Sequence, residues 1–255
     1  MLPVVEPAVC QFLEWDSRFF DRKIGRLTSP RLSPAMLPAV FAWCQANQIA
    51  CLYFLADADH SETFQLAAER GFLLADIRIT LEHGCPAEFA PSAPSGAEGI
   101  RAFSSGDLPA LRNLAGRSHG DSRFYFDPHF PPVLSRQLFE IWIENSCNND
   151  REKVFVADVE GKPSGYITCQ FVDEQTGQIG LMGVDAAAQG RGFGRKLVMT
   201  ALGWFAAHGT TRVTVVTQGR NIKAQRLYQR CGFVTASLQL WFHRWFEGVP
   251  TEEKS

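Results

Sequence analysis

The sequence predicts an α/β protein in which helices flank a mixed central sheet, and two observations carry that prediction. Segments with the alternating apolar pattern of strands are followed along the chain by segments with helical periodicity. A glycine-rich turn joins one apolar strand to the helix after it. The chain has 255 residues, of which 45% are hydrophobic and 20% charged, so it can bury a substantial core. This composition excludes a disordered, fibrous or coiled-coil protein.

The chain shows no sign of a membrane span, an export signal or a metal-binding cysteine motif. Its richest apolar stretch, Val198 to Ala207, is far shorter than the roughly 20 residues of a spanning helix, and Glu6 interrupts the region where a signal peptide would be apolar. Seven cysteines, an odd number without a CxxC pair, predict reduced thiols. We therefore expect a cytoplasmic protein without a metal, and the net charge of −2 gives nucleic-acid binding no support.

A stretch rich in proline, alanine, serine and glycine predicts a linker over residues 84–98. We expect an N-terminal domain over residues 1–83, a second domain over 99–248 and a tail over 249–255. The N-terminal domain should contain a strand from Ile49 to Leu55, a helix with Ser61 as its N-cap, and a strand that ends at Leu81.

The second domain contains more predicted elements. It begins with a strand at Ile100 to Phe103, a helix capped by Ser105 and Asp107, and a helix at Leu134 to Asn145. Turn residues and periodicity place the rest in this order: strands at Lys153 to Val159, Gly165 to Phe171 and Gln178 to Val184, a helix from about Gly192 to His208, a strand at Arg212 to Thr217, a helix capped by Asn221, and a strand at Leu238 to Phe246.

The two domains share a weak internal repeat at an offset of 161 positions. It pairs Leu227, Gly232, Phe233 and Ala236 with Leu66, Gly71, Phe72 and Ala75. The N-terminal copy has Ala67 in place of Tyr228 and no glycine-rich turn. We therefore expect a degenerate copy that serves as a scaffold or a dimer surface.

The glycine-rich turn has the chemistry of a phosphate-binding loop. Glycines at 190, 192 and 194 remove the Cβ atoms that would hold an oxygen ligand away from the main chain, at the beginning of a helix. Between Gln189 and Arg230 lie eight basic residues and no acidic one, which favours an anionic ligand over a merely solvated helix face. A dinucleotide fingerprint and a Walker loop are excluded, because both would need glycine where Arg195 stands.

The segment from Gln189 to Gly194 resembles the acetyl-CoA loop of the GCN5-related N-acetyltransferases (GNAT), and Asn221 to Phe233 is similar to that family's second motif, with Ala224, Leu227, Tyr228 and Gly232 in place. The resemblance implies the family's fold, with a degenerate half-unit at the N-terminus, and acetyl-CoA as co-substrate. Main-chain groups would pair with the pantetheine arm, loop amides would hold the diphosphate, and a tyrosine would face the thioester. The implied residues are Met182, Gly183 and Val184 for the arm, Gln189, Gly190, Arg191, Gly192, Phe193, Gly194 and Arg195 for the diphosphate, Asn221 for a further cofactor contact, and Tyr228 for the thioester.

Acyl transfer from a thioester requires a proton for the departing thiolate. A tyrosine, with a reference pKa of about 10, stays protonated at pH 7, so Tyr228 can supply it. The alternative is that Tyr228 and Asn221 are only a helix residue and its cap. The base remains open among Glu144, Asp173, Glu174 and His119, and we expect deprotonation through water.

The acceptor side is predicted in the loop from Ser118 to Pro132, which is aromatic and contains Arg123. Rings stack on sugar or base faces and arginine pairs with phosphate, which favours a sugar nucleotide as the acceptor. The alternative is that the rings close the core.

Four features together resemble the branch of the family that acetylates the amine of dTDP-fucosamine-like sugars for surface polysaccharide, by direct attack: the degenerate N-terminal half-unit, Ser122 to Phe124, Trp142 to Asn145, and Asn221 to Tyr228. The resemblance implies that Ser122, Arg123 and Phe124 bind the acceptor. That resemblance is compatible with a homodimer. A transferase for another small-molecule or protein amine and a non-catalytic acyl-CoA sensor remain as alternatives.

Overall fold

The computed structural model describes residues 8–84 and 99–246, so almost all of the predicted linker and the whole predicted tail lie outside the described residues. The described part contains ten strands and eight α-helices, which confirms the predicted mixed α/β class. None of its helices has the length and apolar character needed to cross a membrane. The chain divides into two compact units, one formed by residues up to Arg78 and from Leu238 onward, the other by Ile79–Ser237.

The first unit contains a small sheet with helices packed on it. Its strands are ordered β1-β2-β3-β10, and its core includes Val40, Leu52, Phe54 and Phe242. Along the chain its elements are β1 (Cys10–Phe12), α1 (Glu14–Phe20), β2 (Ile24–Leu27), α2 (Leu37–Ala46), β3 (Cys51–Asp57), α3 (Ser61–Glu69), the first half of β4 (Leu73–Gly84) and most of β10 (Val234–Trp245).

Strand β10 explains why these units divide the chain differently from the predicted domains. It pairs antiparallel with β3, from Gln239 opposite Asp57 to Trp245 opposite Cys51. The prediction assigned all of residues 99–248 to the second domain. Periodicity identifies β10 as a strand but does not identify its partner, so only the fold shows this pairing.

The second unit contains a larger sheet, ordered β9-β8-β7-β6-β5. Its strands are antiparallel to their neighbours except for the parallel pair β8 and β9. Along the chain its elements are β5 (Ile100–Ala102), α4 (Leu108–Ser118), α5 (Arg123–Phe126), α6 (Pro132–Cys147), β6 (Glu152–Val159), β7 (Lys162–Phe171), β8 (Thr176–Val184), α7 (Phe193–Ala207), β9 (Arg212–Gln218) and α8 (Ile222–Arg230).

Helices cover both faces of this sheet. Successive residues of a strand point to opposite faces. On β7, the Tyr166 hydroxyl meets His119 at the end of α4, whereas Ile167 joins the core that contains Leu197 and Ala201 of α7. The side chains of Ile167, Leu197 and Ala201 are fully buried, as expected for a sheet that helices cover on both faces.

Two predicted helix caps are wrong by one residue. The N-cap of α3 is His60 and not Ser61, because the His60 Nδ1 accepts a hydrogen bond from Thr63 N at 3.2 Å. Before α4, Ser104 rather than Ser105 forms a capping box with Asp107. A cap needs a non-helical backbone as well as a suitable side chain, and the sequence does not reveal that backbone.

The two copies of the internal repeat have the same local structure. Helix α3 is followed by Gly71, with φ +73°, and then by β4. In the same way, α8 is followed by Gly232, with φ +91°, and then by β10. Both glycines adopt the left-handed conformation that ends a helix with the least steric cost. The repeat is therefore visible in the backbone as well as in the sequence.

Candidate active site

Strands β8 and β9 are paired only at their beginnings. Their parallel ladder ends at the pair Ile179 and Val215, although both strands continue for several more residues. The strands therefore diverge, and on the side of β9 the rest of β8 has an edge that pairs with no other strand among the described residues. This edge contains Met182, Gly183 and Val184, the residues predicted to pair with an extended ligand.

A β-bulge marks the point where β8 leaves β9. Two β8 residues, Gly180 and Leu181, stand opposite the single residue Thr168 of β7, and Leu181 N donates a hydrogen bond to Thr168 Oγ1 at 2.8 Å. A Cβ at Gly180 would lie only 2.6 Å from the same oxygen, so a larger residue there would displace the Thr168 side chain from its bond to Leu181 N. Because bulges bend the strand that carries them, this feature accounts for the divergence.

The glycine-rich turn presents free amides at the beginning of α7. Gly190 and Gly192 have φ values of +77° and +83°, and a Cβ at either would meet nothing within 4 Å among the described residues. The amides of Phe193, Gly194 and Arg195 have no acceptor within the described part of the chain. Unpaired amides and the helix dipole together favour an anionic group at this position.

These elements surround a cleft of about 730 Å³ within the second unit. Its charged lining residues are mainly basic, and Arg195, Lys223 and Arg230 come from the basic segment noted in the sequence. The volume lies within the usual range for small-molecule sites. The predicted cofactor and catalytic residues that line the cleft are Met182, Gly183, Val184, Gln189, Gly190, Gly192, Phe193, Gly194, Arg195, Asn221 and Tyr228.

Tyr228 lies in this cleft, with its ring packed against Phe233 at a centroid distance of 5.6 Å. Its hydroxyl donates a hydrogen bond to Met182 Sδ at 3.6 Å. Because a thioether is a weak acceptor, the hydroxyl proton is not held in a strong bond. Burial raises the pKa of Tyr228 well above its ordinary value. The hydroxyl therefore remains a proton donor at neutral pH.

Asn221 is both a helix cap and part of the cleft lining. Its Oδ1 accepts a hydrogen bond from Ala224 N at 3.0 Å, which confirms the predicted cap of α8. Its Nδ2 group has no acceptor among the described residues, which leaves a donor available to a ligand. Gly194 allows close packing of α7 and α8, since a Cβ there would lie 3.2 Å from Leu227 Cδ2.

One predicted cofactor residue and three predicted acceptor residues do not line the cleft. The Arg191 guanidinium lies over the Phe193 ring at 5.4 Å. Phe124 is buried, with the Arg123 guanidinium 4.2 Å above its ring, and Ser122 Oγ is buried without a partner in the described structure. This arrangement matches the alternative in which the loop's rings close the core, and the acceptor contacts at these three residues stay predictions.

The carboxylates considered as a base are also outside the cleft lining. Glu144 forms a salt bridge with Arg112, at 3.0 Å from Oε2 to Nη1. Asp173 accepts hydrogen bonds from two backbone amides of the turn that follows it, which lowers its pKa. Glu174 is exposed in the same turn. Glu144 and Asp173 thus have roles in the surface structure, and deprotonation through water stays our prediction.

His119, the fourth candidate base, has a structural role. Its ring stacks on Phe139 at a centroid distance of 4.3 Å, and its Nε2 lies 2.8 Å from the Tyr166 hydroxyl. Burial of the ring lowers the pKa of His119 to about 4. It is therefore a weak base at neutral pH. Its contacts fix the end of α4, where the neighbouring Ser118 lines the cleft.

The structure adds cleft residues that the sequence reasoning did not single out. Arg117, Ser118 and Asp121 come from the end of α4 and the loop after it, and Asp185 follows β8. Arg117 Nη2 and Asp185 Oδ2 lie 3.4 Å apart across the cleft lining. Asp121 belongs to the loop already predicted as the acceptor side. A carboxylate within an aromatic loop is the sequence feature from which its place in the cleft could have been predicted. No group of three or more metal-ligating side chains occurs among the residues that the structure describes.

Comparisons with known proteins agree with this geometry. The sequence profile of the acetyltransferase (GNAT) family matches residues 118–233. The chain is 30% identical, over 240 residues, to a dTDP-fucosamine acetyltransferase of Escherichia coli O6:H1, an alignment that covers 91% of this chain and 96% of that protein.

A second relative and a solved structure extend the comparison. The chain is 29% identical over 140 residues to the spore coat polysaccharide biosynthesis protein SpsD of Bacillus subtilis, which covers 55% of this chain and 48% of that protein. A crystal structure of a GCN5-related N-acetyltransferase from Sphaerobacter thermophilus has the same fold, with a TM-score of 0.65 and 19% identity over 92% of this chain and 76% of that one.

Proposed function

Because this chain belongs to the acetyltransferase (GNAT) family, we propose that it transfers an acetyl group from acetyl-CoA to the amine of a nucleotide-activated amino sugar of the dTDP-fucosamine type. The observation that carries the transferase proposal is that one cleft contains three features. These are the free amides of α7, the unpaired edge of β8 and the Tyr228 hydroxyl. A homodimer and a cytoplasmic location belong to the same proposal.

The residues of the cleft fit acetyl-CoA, which when bound supplies an acetyl group activated as a thioester. The edge at Met182 to Val184 offers main-chain groups to an extended amide-containing arm. The amides at the beginning of α7, with Arg195, suit a diphosphate. Lys223 and Arg230 add positive charge for the remaining phosphate, and Asn221 Nδ2 adds a hydrogen-bond donor.

Tyr228 provides the proton that the departing sulfur needs. Its raised pKa keeps the hydroxyl protonated until negative charge develops beside it, and its present partner, Met182 Sδ, is a weak acceptor. General acid catalysis of this kind typically contributes roughly 10²- to 10⁴-fold to the rate. The ammonium group loses one proton to water, and the resulting neutral amine attacks the thioester directly, without a bond between the acetyl group and the protein. The second nitrogen proton, lost as the amide forms, returns through water to the Tyr228 oxygen that protonated the sulfur.

The acceptor class rests on sequence similarity that extends over both units. The relative named dTDP-fucosamine acetyltransferase aligns with 91% of this chain, and therefore with far more than the cleft alone. The name of SpsD, which covers 55% of this chain, also refers to polysaccharide biosynthesis. We propose that the loop from Ser118 to Pro132 receives the acceptor.

Steady-state kinetics with a panel of amines tests this function. The assay follows release of the coenzyme A thiol and gives kcat/KM for each amine. The value of kcat/KM should be highest with dTDP-fucosamine and lower with a UDP-amino sugar, a polyamine and a peptide amine. In a thermal-shift experiment, dTDP at about 100 times its Kd should stabilise the protein by about 2.7 kcal/mol. Equal rates with the polyamine or peptide, or no shift at millimolar dTDP, would contradict the proposed acceptor.

A further inference from the structure

We infer that the carboxylate of Asp121 binds the ammonium group of the acceptor and thereby selects amines over alcohols. The inference rests on the proposed function and adds to it a residue that determines specificity. Three observations carry it: the charges in the cleft, the attachment of the loop that contains Asp121, and the position of that loop beside the acyl-transfer elements.

The cleft lining contains two carboxylates, and only one of them is engaged by the protein. Asp185 Oδ2 lies 3.4 Å from Arg117 Nη2, and its Oδ1 accepts a hydrogen bond from Ala187 N at 3.0 Å. The exposed carboxylate of Asp121 has no ion pair or hydrogen bond within the described residues. Asp121 is therefore the anionic group that the cleft can offer to a ligand.

The main chain of Asp121 is hydrogen-bonded to a side chain of another segment. Arg220 Nη1 donates a hydrogen bond to the Asp121 carbonyl oxygen at 3.0 Å. The same guanidinium lies 3.9 Å above the centre of the Phe126 ring. Arg220 directly precedes Asn221, so this contact attaches the loop to the beginning of α8. The Asp121 carboxylate is thus presented by a loop whose main chain is bonded to the segment that leads into Asn221 and α8.

The beginning of the loop lies over the face of β8 at Gly183, in the part of the strand that contains the unpaired edge. A Cβ at Gly183 would lie 2.9 Å from Ser118 Oγ, so Ser118 packs directly on this part of β8. Asp121 follows three residues later. The loop is thus attached to both elements that we assign to acyl transfer, and its carboxylate enters the same cleft as Tyr228.

The charge of Asp121 identifies the class of ligand. Coenzyme A and a sugar nucleotide both carry phosphates, but only the amino sugar also carries an ammonium group, so Asp121 can form an ion pair with the acceptor and not with the cofactor. A primary amine is mostly an ammonium ion at neutral pH and pairs with a carboxylate. Because an aspartate is a far weaker base than an amine, Asp121 holds the ammonium group without taking its proton, which leaves to water.

Titration calorimetry with matched ligands tests this assignment. The two ligands are dTDP-fucosamine and dTDP-fucose, which differ by an amine and a hydroxyl. Asp121→Asn should weaken binding of the amine roughly 10- to 100-fold and leave binding of the alcohol and of acetyl-CoA unchanged. Asp121→Ser should behave in the same way. Glu174→Gln, which removes an exposed carboxylate outside the cleft lining, is the control and should change none of the three affinities.

The outcomes separate this inference from the proposed function. If the wild type acetylates dTDP-fucosamine and both Asp121 variants still prefer the amine as the wild type does, the inference is wrong and the proposed function stands. If the wild type neither binds nor acetylates dTDP-fucosamine, the proposed function is wrong and the inference is refuted with it. An equal loss of affinity in Glu174→Gln would show a general charge effect and would also overturn the inference.

Discussion

Replacement of Gly192 by alanine tests whether the beginning of α7 is the anion-binding end of the cleft. Gly192 has a φ of +83° and lines the cleft, whereas Gly209, just beyond the other end of α7, has a φ of +79° and does not. A Cβ at either position meets nothing within 4 Å in the described structure. The two substitutions therefore impose the same backbone strain without a clash, and Gly209→Ala is a matched control.

The expected magnitudes follow from these two properties. Alanine in a left-handed conformation costs about 1 to 2 kcal/mol, so both variants should lose that much free energy of unfolding. Only Gly192→Ala places a methyl group where a diphosphate would approach the amides of Phe193 and Gly194. Loss of one hydrogen bond to a charged group, about 1.5 to 3 kcal/mol, corresponds to roughly 10- to 100-fold weaker binding of acetyl-CoA.

Urea unfolding and calorimetric titration with acetyl-CoA measure the two effects separately. We expect equal stability losses in both variants and a loss of affinity in Gly192→Ala alone. Wild-type affinity in Gly192→Ala would refute the assignment of this turn to the diphosphate. An equal loss of affinity in Gly209→Ala would show that strain, and not the methyl group in the cleft, causes the effect.

Three further predictions concern groups inside the second unit. Tyr228→Phe should lower kcat roughly 10²- to 10⁴-fold with little change in Tm, because the hydroxyl bonds only a thioether; an unchanged kcat would remove Tyr228 from the mechanism. The pKa of His119 is lowered to about 4 in the folded protein, against about 6.5 in the unfolded chain. The stability that the neutral ring contributes is therefore complete above about pH 6.5 and is lost as the pH falls toward 4, a loss of about 3 kcal/mol. His119→Gln should therefore show a smaller difference in urea midpoint between pH 7 and about pH 4.5 than the wild type, and an identical difference would contradict the assignment. Thr168→Val removes the acceptor of Leu181 N at the bulge, which should cost about 1 to 3 kcal/mol of stability and weaken acetyl-CoA binding, whereas unchanged binding would separate the bulge from the site.

The sequence by itself determined the features that depend on near neighbours. A left-handed turn before a helix requires glycine, which made Gly190 and Gly192 recognisable without a structure. The cap at Asn221 and the position of Tyr228 on the same short helix are likewise set within a few residues. Strand and helix periodicity identified most elements of the second unit. It missed α5, because four residues are too few to show a period.

The tertiary structure decided everything that depends on contacts between distant segments. Neither the pairing of β10 with β3 nor the early end of the β8 and β9 ladder can be read from periodicity, which describes one strand at a time. The same holds for side-chain environments: packing against α6 and β7 lowers the pKa of His119, and a bond from Arg220 fixes the main chain of Asp121. Residues far apart in the chain supply these contacts, and the free energy of each group depends on neighbours that only the folded chain brings together.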